Sequence, residues 1–203
     1  MKQESRVLPR KRLGELFEAL KSRGFRIVGP TVREQAFVYD ELASPSELPE
    51  GWTDEQGPGY YRLKRREDRA LFGYVVGPHS WKKYLFPPKV RLWQAQRSDR
   101  SFEVTAEPPD DTRFAFLGMR ACELAALEVQ DRVFREADPF YRARRDRLFL
   151  IAANCGQAAA TCFCASMNTG PRARKGFDLA LTEILEGEHR FLLETGTEQG
   201  LEL

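Results

Sequence analysis

The chain has 203 residues, of which 42% are hydrophobic and 31% are charged, and its 32 basic and 30 acidic residues give a net charge of +2. This length predicts one large domain or two small ones, with a core that needs no disulfides, and the balanced charge argues against nucleic-acid binding. No stretch approaches the about 18 uncharged apolar residues of a membrane helix, and the N-terminus lacks the apolar region of a secretory signal. We therefore expect a cytoplasmic protein with reduced cysteines and no membrane contact.

The first half of the chain predicts a mixture of helix and strand. An amphipathic helix is expected before Gly24, and its apolar residues at helical spacing are Leu13, Leu16, Phe17 and Leu20. Short strands are expected in FRIVGP and QAFVYDEL, and a hairpin in YRLKRRED with ALFGYVVG. Residues 44–61 are rich in Pro, Gly and acidic residues and are expected to be a long loop. The sequence SDRSFEVTAEPPDD, residues 98–111, is the best candidate for a linker.

The second half predicts a βαβ unit. RFAFLG at 113–118 and the apolar run at 148–153 are typical of buried strands, and the helix expected between them has one apolar face formed by Leu124, Leu127, Val129 and Phe134. FDLALTEILEG favours another helix, and HRFLLET a final strand. We predict a mixed α/β fold, with a partly parallel sheet flanked by helices and long loops that carry the cysteines. Residues 1–203 form one domain, divisible into an N-terminal α+β lobe (1–106) and a βαβ lobe with the cysteines (107–203).

The four cysteines occupy positions that can converge. Cys122 follows the first strand of the βαβ unit, and Cys155 follows the second. The carboxyl ends of parallel strands meet at one edge of a sheet, where ligands bind. Cys162 and Cys164 come soon afterwards, on a stretch whose Gly, Ala and Ser residues let the backbone bend. A helix N-terminus near Cys122 would also favour its thiolate form.

Spacing alone leaves several roles open for these cysteines. Four thiolates around one centre hold either a structural zinc ion or an iron–sulfur cluster, but the spacing matches neither a zinc ribbon nor a bacterial ferredoxin. Free cysteines can also simply pack in a core. A disulfide between Cys162 and Cys164 is disfavoured because a single residue separates them. A cysteine nucleophile lacks a histidine nearby in the sequence, since His79 and His189 are both distant.

One known family resembles this chain over nearly its whole length, through the motifs GPGYYRL, SWKKYLFPP, GMRACELAALEVQDRVF, DPFYRARR, NCGQAAATCFCASMNTGP and GFDLALTE. It is the beta subunit of cytosolic sulfhydrogenases (sulfur reductases), close to the corresponding iron–sulfur protein of anaerobic sulfite reductase, and its members are iron–sulfur electron-transfer subunits. The resemblance implies that the N-terminal iron–sulfur domain of this family is present. It also implies one [4Fe-4S] cluster held by Cys122, Cys155, Cys162 and Cys164, with Zn as the alternative metal.

The resemblance also implies partners. Electrons would pass between a flavin- and NAD(P)-binding subunit and hydrogenase or reductase subunits, so we expect a non-catalytic electron-transfer subunit of an oxidoreductase. Family members carry a further ferredoxin-like domain that this sequence lacks, so we expect either a fragment or a short form that works with a separate ferredoxin-like subunit. The alternatives are a structural zinc scaffold and a subunit that reduces sulfur or polysulfide directly.

Four residues near the cysteines are candidates for a supporting role. Arg120 could offset cluster charge or donate a hydrogen bond to a sulfide, or could be an ordinary surface arginine. Asn154 could donate to a sulfur or only shape the turn. Phe163 could shield the cluster from water or be a core aromatic. Lys82 could cover the cluster or contact a partner, or could be a solvated residue beside an aromatic anchor.

Overall fold

The computed structural model describes residues 4–97 and 101–203. Its strands are β1 (Ser5–Pro9), β2 (Phe25–Arg33), β3 (Ala36–Glu41), β4 (Trp52–Gly57), β5 (Tyr60–Arg65), β6 (Trp93–Arg97), β7 (Phe102–Ala106), β8 (Arg113–Met119), β9 (Phe149–Ala153), β10 (Leu179–Ile184) and β11 (Arg190–Thr195). Its α-helices are α1 (Leu13–Ser22), α2 (Lys82–Leu85), α3 (Ala121–Phe134), α4 (Pro139–Arg145) and α5 (Glu198–Leu201). No helix in the two described ranges is long and apolar enough to cross a membrane.

Seven strands form the main sheet, in the order β1-β11-β10-β9-β8-β2-β3. The four central strands, β10, β9, β8 and β2, run parallel to one another, whereas both sides of the sheet end in antiparallel strands. The βαβ unit β8–α3–β9 is therefore confirmed, and so is the mixed fold with a partly parallel sheet. The sheet takes strands from both 1–106 and 107–203, so its strand order does not follow the proposed boundary between the lobes.

Both faces of the sheet are buried, as a parallel centre requires. Phe149, Ile151 and Ala153 of β9 face one core, which contains the apolar side of α1 and the segment 71–74. Leu150 and Ala152 face the other core, which contains α3, Trp81 and the start of α4. Near-continuous apolar sequence in β8 and β9 follows directly from this burial on both faces, and it explains why these two strands were predictable.

A bulge at Gly118 changes the direction of the chain where β8 ends. The register with β9 shifts between Leu117 and Met119, and Gly118 has a φ of +94°, a value that glycine adopts without strain. Because of this extra residue, Met119 packs in the same core as Phe116 instead of the opposite one. Arg120, the next residue, is thereby directed towards the segment 72–74.

Two predictions for the first half were wrong. Residues 44–61 are not a loop throughout, because they contain β4 and the start of β5. The predicted hairpin is also wrong, because β5 pairs with β4 and not with residues 70–77. The latter segment is buried without being a strand, and side chains satisfy its backbone: Glu183 accepts from the N–H groups of Leu71 and Phe72, and Asp54 accepts from that of Val75.

The prediction of a helix at FDLALTEILEG was also wrong, because this segment contains β10. Its apolar residues suit a helical period, but they are buried on both sides of a strand placed between β9 and β11. Pairing with strands far away in the sequence therefore overrides the local pattern. The final strand β11 was correctly predicted. Within α3, Val129 is 57% exposed and does not belong to the buried face assigned to it.

A second hairpin, β6–β7, stands apart from the main sheet. Residues 98–100 of the proposed linker lie outside the described residues, but Phe102–Ala106 form β7 and pair with β6. The described part of this segment is therefore largely strand, which corrects the expectation of an irregular linker. All residues of β6 and β7 are exposed.

Candidate functional site

The ends of two adjacent parallel strands position the first two cysteines. Cys122 lies in the first turn of α3, directly after β8, and Cys155 lies two residues beyond the end of β9. Because β8 and β9 are neighbouring parallel strands, both residues lie at the carboxyl edge of the sheet. The segment 155–171, here called the cysteine loop, returns to the same place: the N–H of Cys155 donates to the carbonyl oxygen of Pro171 at 3.3 Å.

All four cysteines line one cavity of about 640 Å³, here called the cysteine cavity. Its walls come from α3, the segment 75–82 and the cysteine loop, and they are mainly apolar, with Trp81, Leu85 and Met119 among them. The chain contains no other cysteine, and none of the four forms a disulfide. The structure therefore brings together every thiol that the sequence analysis had singled out.

The thiols of this cavity influence one another. Burial raises the pKa of Cys122 to about 11, helped by the negative charge of Glu123 and by the neighbouring Cys155 and Cys164. Burial likewise raises the pKa of Cys155, the Arg120 guanidinium opposes that rise, and Cys164 and Cys162 add to it. In the metal-free chain the more buried thiols therefore carry protons, which metal binding would have to displace.

The donor set of this cavity suits a metal cluster better than a single ion. In residues 4–97 and 101–203, no three His, Cys, Asp or Glu side chains lie close enough together to hold one metal ion. Thiolates around a four-iron cluster bind different iron atoms and stand farther apart than the ligands of one zinc ion. Four thiols around one apolar cavity are compatible with that wider arrangement.

Unsatisfied polar atoms are concentrated in the same region. Three buried side-chain atoms in the described residues lack a hydrogen-bond partner: Tyr74 Oη, Arg120 Nε and Gln130 Oε1. Gln130 lines the cavity, and both Tyr74 and Arg120 interact electrostatically with Cys155. Because native proteins rarely leave buried polar atoms unpaired, this concentration indicates that the region is built for a group additional to the protein.

Arg120 is fully buried, so the interpretation as a surface arginine is wrong. Its guanidinium donates to the carbonyl oxygens of Phe72 and Tyr74 at 2.8 and 2.9 Å, and to those of Ala153 and Asn154 at 3.2 and 3.3 Å. It thus ties the segment 72–74 to the chain immediately before Cys155. These bonds go to backbone oxygens and not to sulfur, although the positive charge acts on Cys155.

Glu123 is a site residue that the sequence analysis missed. Its carboxylate accepts from Tyr39 Oη at 2.7 Å, from Trp81 Nε1 at 2.9 Å and from the N–H of Arg120 at 2.8 Å. These bonds hold Trp81 in the wall of the cavity and close the first turn of α3. Its place immediately after Cys122 was the available signal.

The β4–β5 hairpin region supports the cysteine loop from outside. Gln157 accepts from Arg66 Nη1 at 2.7 Å and donates to Thr53 Oγ1 at 2.6 Å. Thr161 Oγ1 donates to Gln56 Oε1 at 2.9 Å. The sequence analysis could not identify these contacts, because it interpreted residues 44–61 as a loop without a partner.

The remaining candidates lie around the cavity in different roles. Asn154 is occupied within the protein, since its side chain donates to Thr182 Oγ1 and accepts from the N–H of Ala173, both at 2.8 Å. Phe163 is 70% exposed and lines the cavity, so it is not a core aromatic. Lys82 is exposed, lines the cavity and lies about as far from the ring of Phe86 (5.6 Å) as from that of Phe134 (5.5 Å).

The two histidines separate in the structure. His79 lines the cysteine cavity despite its distance in sequence, which corrects the inference that no histidine lies near the cysteines. His189 lies elsewhere, where its Nε2 is 2.8 Å from Glu183 Oε1.

Gly170 packs tightly against Cys164. A Cβ added to Gly170 would lie 3.2 Å from Cys164 Sγ, 3.3 Å from Cys164 Cβ and 3.4 Å from the Cβ of Ala121. By contrast, a Cβ added to Gly156 would meet nothing within 4 Å. The absence of a side chain at Gly170 therefore sets the position of the Cys164 sulfur.

The chain is similar to a sulfhydrogenase beta subunit over nearly its whole length. It is 27% identical over 190 residues to the sulfhydrogenase 2 subunit beta of Pyrococcus furiosus, an alignment that covers 93% of this chain and 47% of the relative. The chain thus spans about half the length of this curated relative. No protein-family model matches the chain, and no solved structure matches it significantly.

Proposed function

We propose that the chain is an iron–sulfur electron-transfer part of a multi-subunit oxidoreductase, in which Cys122, Cys155, Cys162 and Cys164 hold one [4Fe-4S] cluster. The observation that carries this proposal is that all four cysteines of the chain line one cavity. The similarity to a sulfhydrogenase subunit supports an oxidoreductase role.

The composition of the cavity supports iron over other uses of the thiols. Cysteine thiolates are the usual ligands of [4Fe-4S] clusters, and apolar walls limit the access of water, which helps to set the reduction potential. The wide placement of the thiols favours a cluster over a single zinc ion. The carboxyl edge of the parallel strands is also where α/β folds bind their ligands.

When bound, the cluster would supply one-electron transfer, and the chain would control its environment. Arg120 orders the backbone before Cys155 and places a positive charge near that sulfur. Glu123 fixes Trp81 in the wall. Phe163 and Met167 both line the cavity and are 70% and 61% exposed, so they are available to contact another protein.

We propose that this exposed side faces partner subunits. The partners that such an electron-transfer role requires are hydrogenase or reductase subunits, a ferredoxin-like domain or subunit, and a flavin- and NAD(P)-binding subunit. The name of the relative, which is one subunit of a sulfhydrogenase, supports assembly with other redox proteins.

The test of the proposal is metal and sulfide analysis of chain purified without oxygen. We expect about four irons and four acid-labile sulfides per chain and an EPR signal after reduction with dithionite. Zinc is measured in the same sample. One zinc per chain without sulfide would instead support the structural scaffold and would overturn the electron-transfer proposal.

The contact between Gly170 and Cys164 gives a second prediction. Gly170→Ala must push the Cys164 sulfur or the loop by a few tenths of an ångström, and changes around metal ligands typically lower metal affinity about 10- to 100-fold. We expect Gly170→Ala to lose iron to a chelator faster than the wild type. Gly156→Ala, on the same loop but in open space, is the matched control. Equal iron retention in both variants and the wild type would contradict this role for Gly170.

A further inference from the structure

Tyr74 presents a buried hydroxyl without a partner. The residue is 1% exposed, and its Oη has no hydrogen-bond partner within the described residues. Its ring is held on two sides, with the Phe37 ring centroid at 4.5 Å and Arg120 Cζ 4.5 Å from the Tyr74 centroid. A phenylalanine would fill this place without burying an unpaired polar atom, so the hydroxyl calls for an acceptor that the metal-free chain does not provide.

The surroundings of Tyr74 identify that acceptor. The charged or titratable groups that act on the hydroxyl are Arg120, Glu123 and Cys155. Arg120 has only donors. The carboxylate of Glu123 already accepts from two side chains and the backbone N–H of Arg120. Burial raises the pKa of Tyr74, so the hydroxyl keeps its proton and can donate it in a hydrogen bond.

We infer that the Tyr74 hydroxyl donates a hydrogen bond to the sulfur of Cys155 when that sulfur is bound to iron, directly or through one water, and thereby raises the reduction potential of the cluster. This inference rests on the proposed function. Iron binding replaces the thiol proton and leaves a negatively charged sulfur, which is a much stronger acceptor than a thiol. A hydrogen bond to a cluster sulfur stabilises the more negative, reduced state, and such bonds are among the features that set the potential.

The test is the reduction potential of the full chain carrying Tyr74→Phe. We expect the variant to bind as much iron and sulfide as the wild type and to have a more negative potential in an EPR-monitored redox titration. Tyr141→Phe is the matched control, because Tyr141 is also fully buried but its hydroxyl donates to Asp131 at 2.7 Å, away from the cysteines. Its potential should equal that of the wild type.

A second measurement uses the metal-free chain and does not depend on the cluster. Because the hydroxyl is unpaired there, Tyr74→Phe should leave the denaturant midpoint unchanged or raise it, whereas Tyr141→Phe should lower it. A loss of stability in metal-free Tyr74→Phe would show that the hydroxyl already has a partner and would overturn the inference.

The outcomes separate the inference from the function on which it rests. Equal potentials in Tyr74→Phe and wild type, both fully loaded with iron, would overturn the inference and leave the cluster proposal intact. A wild-type chain that binds no iron would overturn both.

Discussion

Cys162→Ser is expected to abolish binding of the [4Fe-4S] cluster while leaving the fold intact. Cys162 is exposed, and its contact with the N–H of Ala159, at 3.4 Å, is one that a serine oxygen can replace. Exposed substitutions usually change the free energy of unfolding by no more than about 0.5 kcal/mol. Serine is a much poorer iron ligand than a thiolate, so we expect iron and sulfide to fall from about four each per chain to near zero.

Metal analysis and denaturant unfolding of the metal-free protein measure the two parts of this prediction. Ala165→Ser is the matched control, because it adds a hydroxyl to an exposed position of the same loop and keeps all four thiols. It should bind iron like the wild type. If Cys162→Ser kept its cluster and lost only the ability to reduce sulfur, the chain would instead be a catalytic subunit.

Arg120→Met is expected to cause the largest loss of stability. The change leaves carbonyl oxygens of four residues without their donor, in a region where water does not reach: Phe72, Tyr74, Ala153 and Asn154. Each buried polar group left unpaired costs about 1–3 kcal/mol, and breaking a buried charged network typically costs about 3–5 kcal/mol. We expect a loss of at least about 3 kcal/mol in the free energy of unfolding, a large part of the usual total.

Two further variants make this prediction specific. Arg120→Lys keeps the charge but lacks the planar fork of donors, so its stability should fall between those of wild type and Arg120→Met. Arg174→Met removes an exposed arginine and should be nearly neutral. A loss below about 1 kcal/mol for Arg120→Met would show that the segment 72–74 is held by other contacts.

Local pattern was sufficient where burial and chain order agree. The central strands β8 and β9 are buried on both faces and therefore have continuous apolar sequences, and the helix between them is long enough for a parallel crossover. Residues 70–77 are equally apolar, but Arg120, Glu183 and Asp54 bind their backbone in place of a strand partner. An apolar run alone does not distinguish these two outcomes.

The candidate site was predictable only in part. The convergence of the cysteines followed from the placement of Cys122 and Cys155 after successive parallel strands. The supporting residues did not follow, because Tyr74, Glu123 and His79 reach the cavity through contacts that no spacing rule describes.

The sequence by itself determined the βαβ unit, the edge of the sheet at which the cysteines gather, and the chemistry of four thiols. These properties depend on residue type, on short-range periodicity and on the order of elements along the chain. Only the tertiary structure decided that β10 is a strand, that β5 pairs with β4, and that Arg120 is buried. The physical reason is that each of these depends on partners distant in sequence, as in the bond from Arg120 to Phe72 across 48 residues, and the burial and pairing they provide outweigh local preference.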